Sequence, residues 1–215
     1  DAARQYRWMR GDWQLLPFLW QHRRWPLGAI NRWKLLDNLR RSLVAPAALA
    51  LIALSLGGLG LALPVALALS LAAYTAGPLM GTLAAWVPRR WDLAGERFAT
   101  TATLDLLRAL GGGLWQLALL PQHALRALDA VLRTAHRLAR SRRQLLQWTT
   151  AEAAQAGLGT GLWATLRRHR AGPLLALVCA TAWALYGHAP GALAWALVAL
   201  WGAAPLAVWA ANRPW

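Results

Sequence analysis

Two long stretches without any charged side chain constrain how this chain can fold. All of its Asp, Glu, Lys and Arg residues lie outside residues 42–88 and 171–212. One helical crossing of a bilayer needs about 20 residues, so each stretch has room for two crossings and a tight turn. The sequence therefore predicts an all-α membrane protein with four spans in two transmembrane hairpins.

Glycine and proline mark the turn within each stretch. Gly58, Gly60 and Pro64 interrupt the first stretch, and Gly187 and Pro190 interrupt the second. Such residues end apolar helices and favour turns. The predicted spans are 43–60, 64–86, 173–186 and 191–211.

The distribution of charge predicts which segments face the cytoplasm. The formal net charge is +15, and 58% of the residues are apolar, with 15 tryptophans. A strongly basic chain can bind nucleic acid, but here the basic residues border apolar stretches and alternate with tryptophan, which argues against a nucleic-acid partner. Neither predicted hairpin turn carries Lys or Arg. The positive-inside rule then places both termini and the central region in the cytoplasm and both turns outside, as expected for a multi-pass protein of a bacterial inner membrane.

Four regions follow from this pattern. They are an interfacial tail (1–42), a first transmembrane hairpin (43–88), cytoplasmic interfacial helices (89–170) and a second transmembrane hairpin (171–215). Within the first region, Pro26 and Gly28 are expected to separate two short interfacial helices. Residues 104–120 are mostly apolar but contain Asp105 and Arg108. If they crossed the bilayer, the following arginines would face outward, so this segment is expected to be interfacial or re-entrant.

Residues 121–147 have the pattern of an amphipathic helix. Leucine and alanine recur on one side at 125, 128, 132 and 135, and arginine stands opposite at 126, 133, 137 and 140. Asp129 is one turn from Arg133 and is expected to pair with it. This helix is predicted to lie on an anionic lipid surface; the alternative is that its basic face docks a neighbouring soluble domain. A further helix is expected from Thr149, where Glu152 completes a capping box.

The opening segment carries the candidate binding residues. Arg4 and Arg7 are one helical turn apart and suit phosphate oxygens, while Trp8 offers a flat apolar face for a sugar ring. The alternative is that these arginines read lipid headgroups and the tryptophans anchor the interface. Asp12 and Trp13 follow closely; Arg7 and Arg10 are expected to keep Asp12 ionised, which favours a structural ion pair over a proton acceptor.

Resemblance to a known family favours the first interpretation. Arg4-x-x-Arg7-Trp8 resembles the Q/RxxRW element of processive membrane glycosyltransferases of the cellulose synthase kind, with arginine in place of the first glutamine. Three blocks also resemble cyclic β-1,2-glucan synthases in the same order. They are RWMRGDWQ (7–14), RWKLLDNLRRSLVAP (32–46) and SRRQLLQWTTAE (141–152).

The resemblance implies a function that this chain would perform only as part of a longer polypeptide. It implies glucosyl transfer from UDP-glucose onto a growing β-1,2-glucan, with Arg4 and Arg7 on the diphosphate and Trp8 on the acceptor sugar. Asp12 and Trp13 belong to the same candidate substrate site. The chain has eight acidic residues and no DxD pattern, so the carboxylates that hold Mg or Mn and activate the acceptor are expected upstream.

By itself the chain is therefore expected to be catalytically inert and to hold no metal or cofactor. Its expected partners are the lipid bilayer, the glycosyltransferase and glucan-processing domains of the same polypeptide, UDP-glucose and the growing glucan. The alternative function is a noncatalytic membrane scaffold or small permease subunit whose basic helices bind anionic lipid.

Overall fold

The computed structural model describes residues 2–21, 24–85, 95–141, 161–187 and 189–213. Regular structure within these ranges is entirely helical, which confirms the predicted all-α class. The helices are α1 (Ala2–Gln14), α2 (Leu16–Trp20), α3 (Ala29–Leu56), α4 (Leu63–Ala85), α5 (Gly95–Ala118), α6 (Leu120–His136), α7 (Leu162–Arg168), α8 (Ala171–Leu185) and α9 (Ala192–Ala211), with a π-helical turn, Arg137–Ser141, after α6. The helix predicted from Thr149 lies outside the described residues, as does most of the block at 141–152.

Three of these helices are long and apolar enough to cross a bilayer. They are α3, the part of α4 from Leu63 to Gly81, and α9. The remaining predicted span corresponds to α8, which has 15 residues and is therefore about 22 Å long at 1.5 Å per residue. That length is short of a hydrocarbon core of about 30 Å. The count of four spans therefore stays a prediction.

The N-terminal part of the first span differs from the prediction. α3 is one continuous helix of 28 residues from Ala29 to Leu56, so the predicted interfacial residues before 43 and the predicted span from 43 belong to the same helix. Asp37 supports the polar end of α3 through ion pairs with Arg40 (2.8 Å) and Arg41 (2.5 Å). Pro46 is the one proline between Gly28 and Gly57, and α3 continues through it.

The predicted turns are present in the described residues. Gly58 has φ +73° and Gly60 has φ +89° between α3 and α4, and Gly187 has φ +63° after α8. Residues with a Cβ rarely adopt these left-handed conformations. Glycine therefore allows the chain to reverse direction at both places.

The second pair of apolar helices packs very closely. A Cβ built on Gly172 of α8 would lie 2.5 Å from the carbonyl oxygen of Trp201 in α9. At the other end of the same interface, the rings of Trp183 and Trp195 meet edge to face with centroids 5.1 Å apart. α8 and α9 are thus held together by a close backbone contact at Gly172 and by edge-to-face indoles at the other end.

The junction between α5 and α6 lies in the core. Leu117 and Leu120 are buried there, and the indole Nε1 of the fully buried Trp201 donates a hydrogen bond to the carbonyl oxygen of Leu117 (3.1 Å). This bond satisfies both polar groups away from water. The C-terminal half of segment 104–120 therefore packs among apolar helices; whether the segment is interfacial or re-entrant stays a prediction.

Helix α6 has three faces, where the sequence pattern predicted two. Its alanines at 124, 127 and 130 and Thr134 are buried, and α6 packs against α1, α3 and α8. The leucines at 125, 128 and 132 are exposed on a second face, which is free to meet lipid. Because the small side chains of the alanine face let backbones approach closely, α6 joins helices that are distant in sequence.

Candidate functional site

Helix α1 carries the Arg4-x-x-Arg7-Trp8 element beside the membrane helices. The guanidinium of Arg4 lies over the Trp8 ring, 5.2 Å from its centroid, in a cation–π contact. Trp8 remains 62% exposed. Arg7 is half-buried and points into a cavity that Trp8 also lines. The two arginines of the element therefore occupy different surroundings.

Hydrogen bonds between side chains join α1 to α3 and to α6. The indole Nε1 of Trp13 donates to Ser42 Oγ in α3 (2.8 Å), and this hydroxyl in turn donates to the carbonyl oxygen of Leu39 (2.7 Å). On the other side, the Tyr6 hydroxyl donates to Asp129 of α6 (2.5 Å). Trp13, a candidate substrate residue, thus bonds to α3 and is not among the residues that line the cavity.

The carboxylate of Asp129 joins α1 to the basic face of α6. Arg133 Nε donates to it at 2.6 Å, which confirms the predicted pair. Burial alone would raise the pKa of Asp129, but the hydrogen bonds from Tyr6 and Arg133 outweigh burial and lower it. For Tyr6, burial and the bond to Asp129 both raise the pKa of its hydroxyl. Tyr6 therefore stays protonated and remains a donor at neutral pH.

The groups that act on the pKa of Asp12 differ from the predicted ones. Burial raises the pKa of its carboxyl group above the ordinary value, against the lowering effects of a hydrogen bond from Asn38 (3.3 Å) and of the charge on Arg41. Arg7 and Arg10 are not among the groups that shift it. The charge that favours its ionised form therefore comes from Arg41 of α3, whereas the sequence pattern predicted Arg7 and Arg10.

A cavity of about 730 Å³ lies where α1, α3, α4 and α6 meet. Of the predicted site residues, Arg7, Trp8 and Asp12 line it, whereas Arg4 and Trp13 lie outside its wall. This volume is in the range of small-molecule sites in proteins. The three helices other than α1 contribute the residues Asn38, Arg41, Ser42, Ala45, Tyr74, His123, Arg126 and Ala127.

The sequence pattern did not single out the contribution of α6 to this cavity. His123 and Arg126 are three residues apart and therefore share one side of the helix, but the periodicity assigned Arg126 to a lipid-facing basic stripe. Burial, followed by the nearby charges of Arg126 and His169, lowers the pKa of His123 to about 4. Its imidazole is therefore neutral at pH 7. The i, i+3 spacing of a histidine and an arginine was the available signal.

Metal binding has no support among the described residues. No three His, Cys, Asp or Glu side chains of that part of the chain lie close enough together to hold a metal ion. Asp12 is the one acidic residue among those that line the cavity. The described residues therefore do not fit the divalent cation that the family resemblance implies.

The long apolar helices indicate a helical membrane protein, and a basic and aromatic cavity lies beside α1. It is 30% identical over 217 residues to cyclic beta-(1,2)-glucan synthase NdvB of Rhizobium meliloti, and the alignment covers 99% of this chain. The chain spans only 8% of the length of that relative. It is thus related to one segment of a cyclic β-(1,2)-glucan synthase, which confirms the resemblance seen in the sequence. No family model matches the chain.

Proposed function

We propose that this chain is the membrane segment of a processive glucosyltransferase that makes β-1,2-glucan from UDP-glucose. It would anchor the catalytic domain in the bacterial inner membrane, with both termini cytoplasmic, and supply one wall of the substrate site. The observation that carries the proposal is the cavity lined by Arg7, Trp8 and Asp12, in a chain related along nearly its whole length to a glucan synthase.

Each side chain of the element suits a different part of the reactants. Arg7 would contact the diphosphate of the donor, because a guanidinium donates paired hydrogen bonds to phosphate oxygens. Trp8 would stack on the acceptor sugar. Arg4, which lies over the Trp8 ring, would hold that ring in place and add positive charge beside the diphosphate.

Asp12 and Trp13 would act on the polar side of the same site. Asp12 would accept a hydrogen bond from a sugar hydroxyl, and Asn38 would hold its carboxylate in place. Trp13 would keep the element against α3 through Ser42. A divalent cation, held by other residues of the full-length protein, would neutralise charge on the leaving diphosphate.

Incorporation of labelled glucose from UDP-glucose tests the proposal. Membranes carrying the full-length protein are compared with Arg7→Ala and Trp8→Ala variants. Matched controls are Arg32→Ala and Trp33→Ala, because both residues are exposed on α3 and do not line the cavity. Loss of product in the first pair alone, at equal protein level, is expected. Equal product from all variants, or none from the wild type, would leave a noncatalytic scaffold that binds anionic lipid.

A further inference from the structure

The α6 side of the cavity contains a cation without an acidic partner. Arg126 is half-buried, and within the part of the chain that the structure describes no carboxylate is ion-paired or hydrogen-bonded to it. Burial, and then the charge of Arg168, lower the pKa of its guanidinium. A half-buried cation in this situation is stabilised by an anion brought in from outside.

The other charged groups around the cavity favour the same kind of ligand. Arg7 and Arg41 line it from α1 and α3, Arg41 while it is paired with Asp37. Among the described residues that line the cavity, Asp12 is the one acidic residue, and burial raises its pKa. His123 is neutral at pH 7 and has a ring N–H to donate. Cationic groups from three helices therefore converge on one space.

The remaining wall indicates what the anion is attached to. Ala45 and Tyr74 belong to the helices α3 and α4, which are long and apolar enough to span a bilayer, and Ala127 belongs to the alanine face of α6. Their surfaces are mostly apolar. A ligand that fills the cavity thus has a charged end near Arg126 and an apolar or ring-shaped part beside Tyr74.

We propose that this cavity binds a phosphate group, with Arg126 as its principal ligand and His123 as a neutral hydrogen-bond donor beside it. A phosphate suits the forked guanidinium, since even a phosphodiester offers two terminal oxygens that can accept paired hydrogen bonds. Two sources have this chemistry: a nucleoside diphosphate and an anionic phospholipid. The nucleotide source rests on the proposed function, whereas the lipid source does not.

The test measures binding directly and needs no turnover. The full-length protein is reconstituted in phosphatidylcholine nanodiscs and titrated with UDP. In a second arm, native mass spectrometry counts phosphatidylglycerol retained from mixed nanodiscs. Both arms compare wild type with Arg126→Gln and Arg126→Lys. Arg140→Gln is the matched control, because Arg140 is an exposed arginine in the π-helical turn after α6 and does not line the cavity.

We expect Arg126→Gln to lower the affinity for one of the two ligands about tenfold, as the loss of one charged hydrogen bond would. Arg126→Lys keeps the positive charge but lacks the forked guanidinium, so it should lose less affinity than Arg126→Gln. If the glutamine variant fails to accumulate, the lysine variant tests the inference in its place. Arg140→Gln should bind as wild type does. The arm in which affinity falls identifies the source of the phosphate.

Three results would overturn the inference. They are wild-type protein that retains neither ligand, Arg126 variants that bind both as wild type does, and an Arg140→Gln variant as impaired as Arg126→Gln. Failure of the proposed function is separate, because it appears as unchanged glucose incorporation in Arg7→Ala.

Discussion

The contact between Gly172 and Trp201 predicts a large effect of a single methyl group. In Gly172→Ala the new Cβ would lie 2.5 Å from the carbonyl oxygen of Trp201 and 3.3 Å from its carbonyl carbon. Both atoms belong to the backbone, so no side chain can rotate away. The helices α8 and α9 would have to separate, and Trp201 would shift from the carbonyl oxygen of Leu117 to which its indole donates.

The expected cost combines two destabilising effects and one that opposes them. Overpacking in a close-packed interface destabilises by about 1–3 kcal/mol. Alanine recovers part of this, since it is favoured over glycine inside a helix by roughly 1 kcal/mol. Weakening the Trp201 hydrogen bond adds about 1 kcal/mol. We therefore expect a net loss of about 1–3 kcal/mol in the free energy of unfolding.

Denaturant titration of the detergent-solubilised protein, followed by far-UV circular dichroism, measures this change. Gly77→Ala is the matched control: Gly77 also lies in an apolar helix, but a Cβ built there meets nothing within 4 Å. It should be neutral or slightly stabilising. If Gly172→Ala proved as stable as Gly77→Ala, the close approach of α8 and α9 would be refuted.

Three further predictions concern other contacts. Gly113→Ala should destabilise less than Gly172→Ala in the same titration, because its Cβ would meet side-chain atoms of Thr75 and Leu71 and no backbone atom. Tyr6→Phe should cost about 1 kcal/mol of stability and speed proteolysis of α1, because Asp129 loses its bond to that helix. The pKa of His123 is lowered from 6.5 to about 4, so the folded protein binds fewer protons than the unfolded chain in that window. Stability should rise with pH across it and fall on acidification, and His123→Gln should flatten the profile measured by thermal unfolding.

Each of these predictions has an outcome that contradicts it. Equal destabilisation by the Gly113 and Gly172 variants would mean that the neighbours of Gly113 cannot move. Unchanged cleavage of α1 in the Tyr6 variant would show that its contacts with α3 are enough to hold this helix. A pH profile unaffected by His123→Gln would place the titrating group elsewhere.

The apolar helices were predictable because their signal is local. Residues 43–60 and 191–211 contain no charge; glycine lies at the end of the first stretch and at the start of the second, so the existence and start of α9 followed from the sequence alone. The start of α3 did not follow, because the change from basic to apolar residues near 42 resembled an element boundary. In the structure the helix continues, and Asp37 pairs with the arginines on its next turn.

The cavity depended on information that periodicity lacks. Leucine spacing identified the exposed side of α6, whereas the side that packs against protein consists of alanines, whose hydrophobic signal is weak. Because this alanine face packs against protein, the neighbouring Arg126 lines the cavity. Arg7, Trp8 and Asp12 were found through their motif, but the helices that complete the cavity around them are more than 20 residues away in the chain.

The packing of α6 also has a consequence for how the chain comes apart. This helix contacts α1 at one end of the sequence, α3 in the first hairpin and α8 near the other end. Removing α6 would expose the surfaces of all three, so none of these contacts can open without loss to the others. We therefore expect release of α1 and separation of α3 from α8 to occur in one cooperative step, with a single transition in force or denaturant experiments.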